Sequence, residues 1–393
     1  MRSFGLLVRL VTISAYIYVL SYIFLKKINS GGIISMASRM TSPERMAAVI
    51  SGQKPDRIPV VPFIEGYAAQ ITGISLGDFY ADGDKCFEAQ FASMRLHGYE
   101  QTPMYGYASC GAWEFGGEIG FPYGKGQGAP YVKKHPVETI EDIDKLEVPD
   151  FGRELPGAYK IADRVATRCV ELGMPATVQI GSIFTAASVV ADTSEFLAWL
   201  IMEPKAVHRL LDKVSEMFVN ALDYFADKYG SESLLPFDGG PSESNNMISP
   251  QMFEEFAYPY MKKVHTRVKE LGIHAVLMHP CANQNLNIPY YVKLREEMNW
   301  AGKYLWLFGP ETPIKDQIKA FGDHDVICGN INPPLFLTNS YEELLEICRR
   351  NIEEGINSPS GYVLSPGCEF PVNAAPVKVM AMVDAAEKYG RYE

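Results

Sequence analysis

Short apolar runs alternate with longer amphipathic stretches from about residue 40 to the C-terminus. Short runs rich in β-branched and aromatic residues are typical of buried strands, and apolar residues at intervals of about three to four are typical of helices. Helices are therefore predicted for stretches such as "SPQMFEEFAYPYMKKVHTRVKELG" and "SYEELLEICRRNIEEG". Strands are predicted at 58–63, 101–105, 177–183, 233–238, 275–279, 304–308, 325–330 and 361–365.

Eight strand and helix units in one chain favour an α/β fold of the (β/α)8 TIM barrel type, with a doubly wound open sheet as the alternative. We assign residues 36–393 to this single domain. Its first helix is predicted to begin after an N-cap at Thr41 or Ser42, with Glu44 in the first turn. Ser340 and Glu343 form a second predicted capping pair, before a helix that ends at Gly355.

Residues 1–35 form an apolar N-terminal extension, which contains "FGLLVRLVTISAYIYVLSYIFLKK". This segment has the length and composition of a membrane anchor or an uncleaved signal sequence. Because the soluble domain begins with a helix-cap pattern just after Met36, we favour a misplaced start over an anchor. A cytoplasmic protein is then expected, with membrane attachment as the alternative if Met1 is the true start.

Polar and thiol side chains follow four of the predicted strands. Asp238 ends the fourth strand, His279 and Cys281 lie at the end of the fifth, Asn330 ends the seventh, and Cys368 follows the eighth. In a TIM barrel the C-terminal strand ends meet at one face, where the active site lies. The barrel prediction therefore brings these five residues together.

Two cysteines and one histidine in this set predict a metal site. Alternate residues of a strand point to the same side, so His279 and Cys281 can share one ion. Tetrahedral zinc is commonly bound by thiolates and imidazole, and a catalytic site keeps one position open. The alternative is that Cys281 and Cys368 are small buried apolar residues and that His279 is structural.

The composition narrows the classes of partner. The chain has 393 residues, a formal net charge of −11 and no block rich in lysine or arginine, which argues against a nucleic-acid partner. Its seven cysteines are scattered and odd in number, unlike a secreted disulfide framework. A reducing compartment is therefore expected, in which thiolates are available as metal ligands.

Several segments resemble the uroporphyrinogen decarboxylase superfamily, from about Ser42 to Tyr389. The resemblance is carried by "FDGGPSESNNMISPQMFEEFAYPYMKKV" and by "GNINPPLFL". The decarboxylases carry a histidine in an "NLGHG" sequence where this chain has Cys368 in "LSPGC". Together with "HPC" at the fifth strand, this is similar to the zinc-dependent methyltransferase branch. The resemblance implies Zn²⁺ on His279, Cys281 and Cys368.

The resemblance also implies an activity and its partners. In that branch a methyl group moves from methylcobalamin, free or on a separate corrinoid protein, to a thiol such as coenzyme M. Another acceptor such as tetrahydrofolate stays open. One alternative is a decarboxylase-type lyase of tetrapyrrole metabolism, but no arginine lies between Arg57 and Arg95 to clamp an acidic tetrapyrrole. The other is a non-catalytic corrinoid- or tetrapyrrole-binding protein.

Three further residues receive predicted roles. Glu114 resembles a glutamate of the methyltransferase branch, which implies a transient fourth ligand or a proton acceptor, against a solvated loop carboxylate. Asp238 is predicted to orient His279 or the corrin side chains, because metal-bound histidines donate their second N–H to an oxygen. A structural turn aspartate is the alternative. Asn330 is a candidate contact to the corrinoid or a turn-forming residue.

Overall fold

The computed structural model describes residues 40–107 and 109–392. The predicted extension 1–35 lies outside the described residues. Helix α1 begins after Thr41, whose side chain accepts from the Glu44 backbone N–H while the Glu44 side chain accepts in return from Thr41. Ser340 and Glu343 make the same reciprocal capping box. Both predicted helix starts are confirmed.

Six parallel strands form one sheet in the order β3-β4-β5-β6-β7-β8, and two antiparallel strands, β1 and β2, form a separate ribbon. The strands are β1 Glu118–Gly120, β2 Tyr131–Lys134, β3 Ala176–Gln179, β4 Leu234–Gly240, β5 Ala275–Pro280, β6 Lys303–Leu307, β7 Val326–Cys328 and β8 Tyr362–Val363. Since each strand pairs with the next along the chain, helices on one face make the crossovers. The last six predicted strands are confirmed to within a few residues.

The helices cover this sheet. They are α1 Ser42–Ile50, α2 Gly66–Thr72, α3 Leu76–Ala81, α4 Gly83–His97, α5 Ile140–Lys145, α6 Tyr159–Glu171, α7 Ile183–Val190, α8 Thr193–Met202, α9 Pro204–Tyr229, α10 Pro250–Phe256, α11 Tyr258–Glu270, α12 Ile288–Met298, α13 Ile314–Phe321, α14 Leu335–Thr338, α15 Tyr341–Gly355 and α16 Pro376–Tyr389. The long helix predicted after residue 248 is split at Ala257. Pro259 explains the break, because proline lacks an N–H and clashes with the preceding turn.

The first two predicted strands, at 58–63 and 101–105, are extended segments without regular ladders. Val60 makes one parallel bridge to Leu364, and the Glu100 N–H donates to the Val60 carbonyl oxygen at 2.8 Å. Pro59 and Pro103 lack an N–H, so a full ladder cannot form there. The prediction of regular strands was wrong, although the segments continue the order of the sheet beside β8.

All eight segments surround one interior. A cavity of about 330 Å³ inside the sheet is lined by at least one side chain from each of them. These include Phe63, Met104, Thr177, Leu235, Leu277, Leu305, Cys328 and Val363. Side chains of α1 line the same cavity. The arrangement confirms the predicted α/β barrel fold and places the C-terminal strand ends at the opposite mouth.

Buried charges fix the two irregular segments. Glu100 accepts hydrogen bonds from Arg45, Arg57 and the Val60 N–H, and its side chain is fully buried. Arg57 also pairs with Glu387 of α16 at 2.8 Å. This network ties α1, the first two segments and the last helix together where backbone pairing is incomplete.

No single helix of the described residues is long and apolar enough to span a bilayer. Helices α7 and α8 reach the required length and composition only as a pair, and they are bent by 106° at their junction.

Candidate metal centre

The end of β5 presents His279 and, just beyond the strand, Cys281. The His279 ring donates Nδ1–H to the carbonyl oxygen of Leu307 at the end of β6, at 2.7 Å. This bond assigns the proton to Nδ1 and leaves the Nε2 lone pair free. His279 is therefore oriented as a ligand by the backbone of the neighbouring strand.

Cys368 completes the cluster from the loop after β8. Its Sγ lies 3.6 Å from the Sγ of Cys281, and one ligand atom from each of His279, Cys281 and Cys368 lies within 4.8 Å of the others. Two sulfurs bound to a tetrahedral zinc at about 2.3 Å would lie roughly 3.7 Å apart. The sulfur separation fits a shared ion and is too long for a disulfide bond. The three predicted ligands lie together.

Two aromatic side chains pack against the imidazole ring of the metal-ligand cluster. Phe63 contacts the His279 ring edge-on, with centroids 5.2 Å apart, and Phe237 stacks at 6.3 Å. His279 is only 5% exposed, whereas both cysteines are half-buried. The open side of the cluster faces a pocket of about 200 Å³ at the barrel mouth, large enough for a small thiol.

The contact between the two thiols shifts their pKa values in opposite directions. A hydrogen bond from Cys368 lowers the pKa of Cys281 below its usual value. The same bond, with burial, raises the pKa of Cys368 to about 12. A divalent ion requires both sulfurs as thiolates, so its binding must displace the Cys368 proton.

Glu65 and Glu369 line the pocket, and Glu243 accepts a hydrogen bond from Thr185 of its lining at 3.0 Å. The sequence analysis did not predict these three carboxyl groups. Glu65 precedes α2, Glu369 follows Cys368, and Glu243 lies in the loop after β4. Burial raises the pKa of Glu65 well above its usual range and raises the pKa of Glu369 and of Glu243 to about 7. Glu65 lies two residues after the first predicted strand, so the strand-end argument that selected Cys368 applied to it as well.

Asp238 does not orient His279, so that part of its predicted role was wrong. Its Oδ2 lies 2.8 Å from Nε2 of His265 in α11, and both side chains are buried. The Nδ1 of His265 lies 3.1 Å from the Tyr304 hydroxyl. Asp238 therefore fixes α11 against the sheet, while the carbonyl oxygen of Leu307 takes the predicted role beside His279.

Glu114 lies behind the pocket wall. Its carboxylate accepts from the Tyr107 hydroxyl at 2.9 Å and from the backbone N–H groups of Gly111 and Ala158. The residue is 5% exposed, so it is not a solvated loop carboxylate. Tyr107 itself lines the pocket, so Glu114 supports this wall of the pocket from outside the cluster of ligands.

Asn330 ties two loops at the mouth. Its side-chain amide donates to the carbonyl oxygens of Gly309 and Thr312, at 3.1 and 2.6 Å. Its own N–H donates to the Asn351 side chain. Through these hydrogen bonds Asn330 holds the loop after β6 in place, which is the role of a turn-forming residue.

The comparison with protein families gives one match that covers most of the chain. The model described as uroporphyrinogen decarboxylase (URO-D) matches residues 41–389.

Similar curated proteins include both methyltransferases and decarboxylases. The chain is 25% identical over 359 residues to a methylcobamide:CoM methyltransferase MtbA of Methanosarcina acetivorans, covering 89% of this chain and 98% of the relative. It is 23% identical over 276 residues to a uroporphyrinogen decarboxylase of Anaeromyxobacter dehalogenans, covering 68% of this chain and 73% of the relative. A solved methyltransferase from Methanosarcina mazei superimposes with a TM-score of 0.72 at 19% identity, covering 89% of this chain and 99% of the other.

Proposed function

The chain belongs to the uroporphyrinogen decarboxylase family, and we propose that within this family it is a zinc-dependent methyltransferase. The proposed reaction moves a methyl group from methylcobalamin, free or on a corrinoid protein, to a small thiol. The observation that carries the proposal is the cluster of His279, Cys281 and Cys368 at the barrel mouth, with a sulfur separation that fits tetrahedral zinc. The methylcobamide:CoM methyltransferases among the relatives support it.

The donor set suits zinc, since two thiolates and one imidazole are borderline-soft ligands that zinc accepts. A zinc ion held there would lower the pKa of an incoming thiol and present its sulfur as a nucleophile. The bond to Leu307 leaves Nε2 of His279 free to hold such an ion. Cys281 and Cys368 would supply two negative charges and would keep the site electron-rich, so that a bound thiolate would retain its nucleophilicity.

The rest of the mouth positions these groups. Phe63 and Phe237 keep water from the imidazole, and Tyr107 closes one wall with Glu114 behind it. We propose that Glu114 positions Tyr107 and that Asn330 positions the loop after β6. Asp238 acts through His265. The pocket opens to the surface, where the methyl donor would approach the cluster.

The decarboxylase alternative needs basic groups for the carboxylates of a tetrapyrrole. The described residues that line the mouth pocket include no arginine and no lysine. A non-catalytic binding protein would have no need of two thiols at 3.6 Å beside a histidine. Neither alternative is favoured by a specific observation.

Zinc content tests the proposal. Protein purified without chelators is expected to hold about one zinc per chain, and Cys281→Ala and Cys368→Ala are expected to lose it. Cys110→Ala is the matched control, because Cys110 lines the same pocket outside the cluster. Full zinc occupancy in both ligand variants would refute the site.

Substrate binding tests the chemistry. X-ray absorption at the zinc edge is expected to show one added sulfur neighbour at roughly 2.3 Å when a thiol acceptor is present. Methylcobalamin should lose its methyl group only in the zinc-loaded protein. Normal transfer to tetrahydrofolate, with no thiol entering the zinc shell, would contradict the thiolate mechanism while sparing the methyltransferase assignment.

A further inference from the structure

The pocket beside the metal ligands has an acidic wall that the mechanism above does not use. Glu65 and Glu369 both line the pocket, and the described lining includes no lysine or arginine. Glu65 is 6% exposed, and no described residue makes a hydrogen bond to its carboxyl oxygens. Because Glu65 lines the pocket, its carboxyl oxygens are accessible from the pocket. They can therefore accept hydrogen bonds from a ligand that brings donors.

Other acceptor oxygens lie close to Glu65. Gly106 has no side chain, and the point where its Cβ would lie is close to two acceptor oxygens. This point is 3.4 Å from Oε1 of Glu65 and 3.7 Å from Oε1 of Gln179. Oε1 of Glu369 accepts from the Gly66 N–H at 3.2 Å, which leaves its Oε2 without a partner among the described residues. An alkylammonium group has three N–H donors and no acceptor. The wall thus offers acceptors from three side chains to a group of that kind.

We propose that the methyl acceptor is a small thiol that carries an ammonium group, with its sulfur at the cluster of metal ligands and its ammonium at Glu65. This inference rests on the proposed methyltransferase function and narrows its substrate class. On binding, the thiol releases its S–H proton to the solvent. In the transfer an S–CH3 bond forms as the Co–CH3 bond breaks, and the electron pair of that bond stays on cobalt, so no further oxidant or reductant is needed.

The charges of the pocket favour this class over an anionic thiol. A sulfonate is only an acceptor, and it would face two carboxyl groups with no cation in the described lining to balance it. Glu65 has no cationic partner among the described residues that line the pocket, and an incoming ammonium would supply one.

Three thiols with the same two-carbon chain test the inference: 2-aminoethanethiol, 2-mercaptoethanol and 2-mercaptoethanesulfonate. Their affinities for the zinc-loaded protein are measured by titration calorimetry at one pH, with sulfur entry into the zinc shell checked by X-ray absorption. The ammonium thiol is expected to bind roughly tenfold or more tightly than the hydroxyl thiol, because a hydrogen bond to a charged group adds about that much. The sulfonate is expected to bind most weakly.

Glu65→Gln separates the carboxylate from the intrinsic acidity of each thiol. For each protein, the affinity for the ammonium thiol is divided by the affinity for the hydroxyl thiol. The acidity of the two thiols contributes equally to this ratio in wild type and variant, so it does not affect the comparison. The ratio should be about tenfold lower in Glu65→Gln than in the wild type. Glu311→Gln is the matched control, since it removes an exposed carboxylate close to Cys281. Its ratio should stay at the wild-type value.

Three results would count against these ideas in different ways. A wild-type protein that prefers the sulfonate, whether or not the variants fold, would overturn the ammonium assignment and leave the methyltransferase proposal standing. An unchanged ratio in folded, zinc-loaded Glu65→Gln would do the same. If zinc is bound but none of the three thiols enters its shell, the proposed thiol transfer fails, and the ammonium assignment fails with it.

Discussion

Zinc affinity should rise steeply with pH, because one thiol of the ligand set, Cys368, has a raised pKa. The hydrogen bond to Cys281, with burial, raises the pKa of Cys368 to about 12. Cys368 therefore keeps its proton throughout the neutral range, whereas zinc binds the thiolate. Each metal ion that binds must release at least this proton.

The size of the pH effect on zinc affinity follows from the number of protons released. One released proton changes the binding constant tenfold per pH unit, which is about 1.4 kcal/mol. Between pH 7 and pH 9 the affinity should rise at least about 100-fold. The rise is steeper wherever Cys281 is also protonated. The sign is fixed, since acid returns the proton to the thiol and weakens the metal site.

Competition with a chromophoric chelator of known pH dependence, at constant ionic strength, measures the slope. In Cys368→Ser the slope should fall by about one logarithmic unit per pH unit, and the affinity should drop, because a hydroxyl is a poor zinc ligand. Cys110→Ser should keep the wild-type slope. A wild-type affinity that changes less than about threefold over the two pH units, or an unchanged slope in Cys368→Ser, would refute the reasoning.

Three further predictions concern stability and are measured by urea unfolding. Glu100→Gln should lower the free energy of unfolding by about 3–5 kcal/mol, because it leaves buried Arg45 and Arg57 without their shared carboxylate; a loss below about 1 kcal/mol would contradict this. Burial raises the pKa of Glu243 to about 7, so the wild type should lose stability as the pH rises from about 5 to 8. Over the same pH range, Glu243→Gln should lose about 2–3 kcal/mol less of its free energy of unfolding than the wild type. Parallel pH profiles of the two proteins would show that Glu243 is not the cause. Thr177→Val should stabilise the chain by about 1 kcal/mol, since the buried Thr177 hydroxyl has no partner among the described residues; a clear loss would mean that the hydroxyl is satisfied.

Much of the metal cluster could be predicted from the sequence, because its signals are local and chemical. His279 and Cys281 are two apart at the end of a recognisable strand, and alternation along a strand puts them on one side. Cys368 is distant in sequence, but the barrel rule brings the ends of β5 and β8 to the same mouth. The prediction therefore needed only strand positions and residue types.

Other parts of the site depend on contacts that sequence patterns do not display. The partner of Asp238 is His265, in the middle of a helix, where a histidine has no sequence signal for its role. The prediction of regular strands at 58–63 and 101–105 was wrong because prolines remove backbone donors there. The hydrogen bonds of Glu100 replace the missing backbone pairs. Glu65 also follows a predicted strand, but the sequence does not mark it as a pocket residue, since a single glutamate in a loop is usually solvated.

His279 and Cys368 are held by different means, and this difference decides how the site depends on the fold. His279 lies on β5 and is fixed by a backbone carbonyl of β6, so its orientation comes from the register of two paired strands. Cys368 follows a strand of only two residues, and its neighbours are held by loop contacts, with the Gly367 N–H donating to Ile331 O. A Cβ at Gly367 would lie 2.8 Å from the Pro310 backbone nitrogen, so that packing requires glycine. The orientation of His279 is thus set by the sheet, whereas the position of Cys368 depends on how the loops after β6, β7 and β8 pack together.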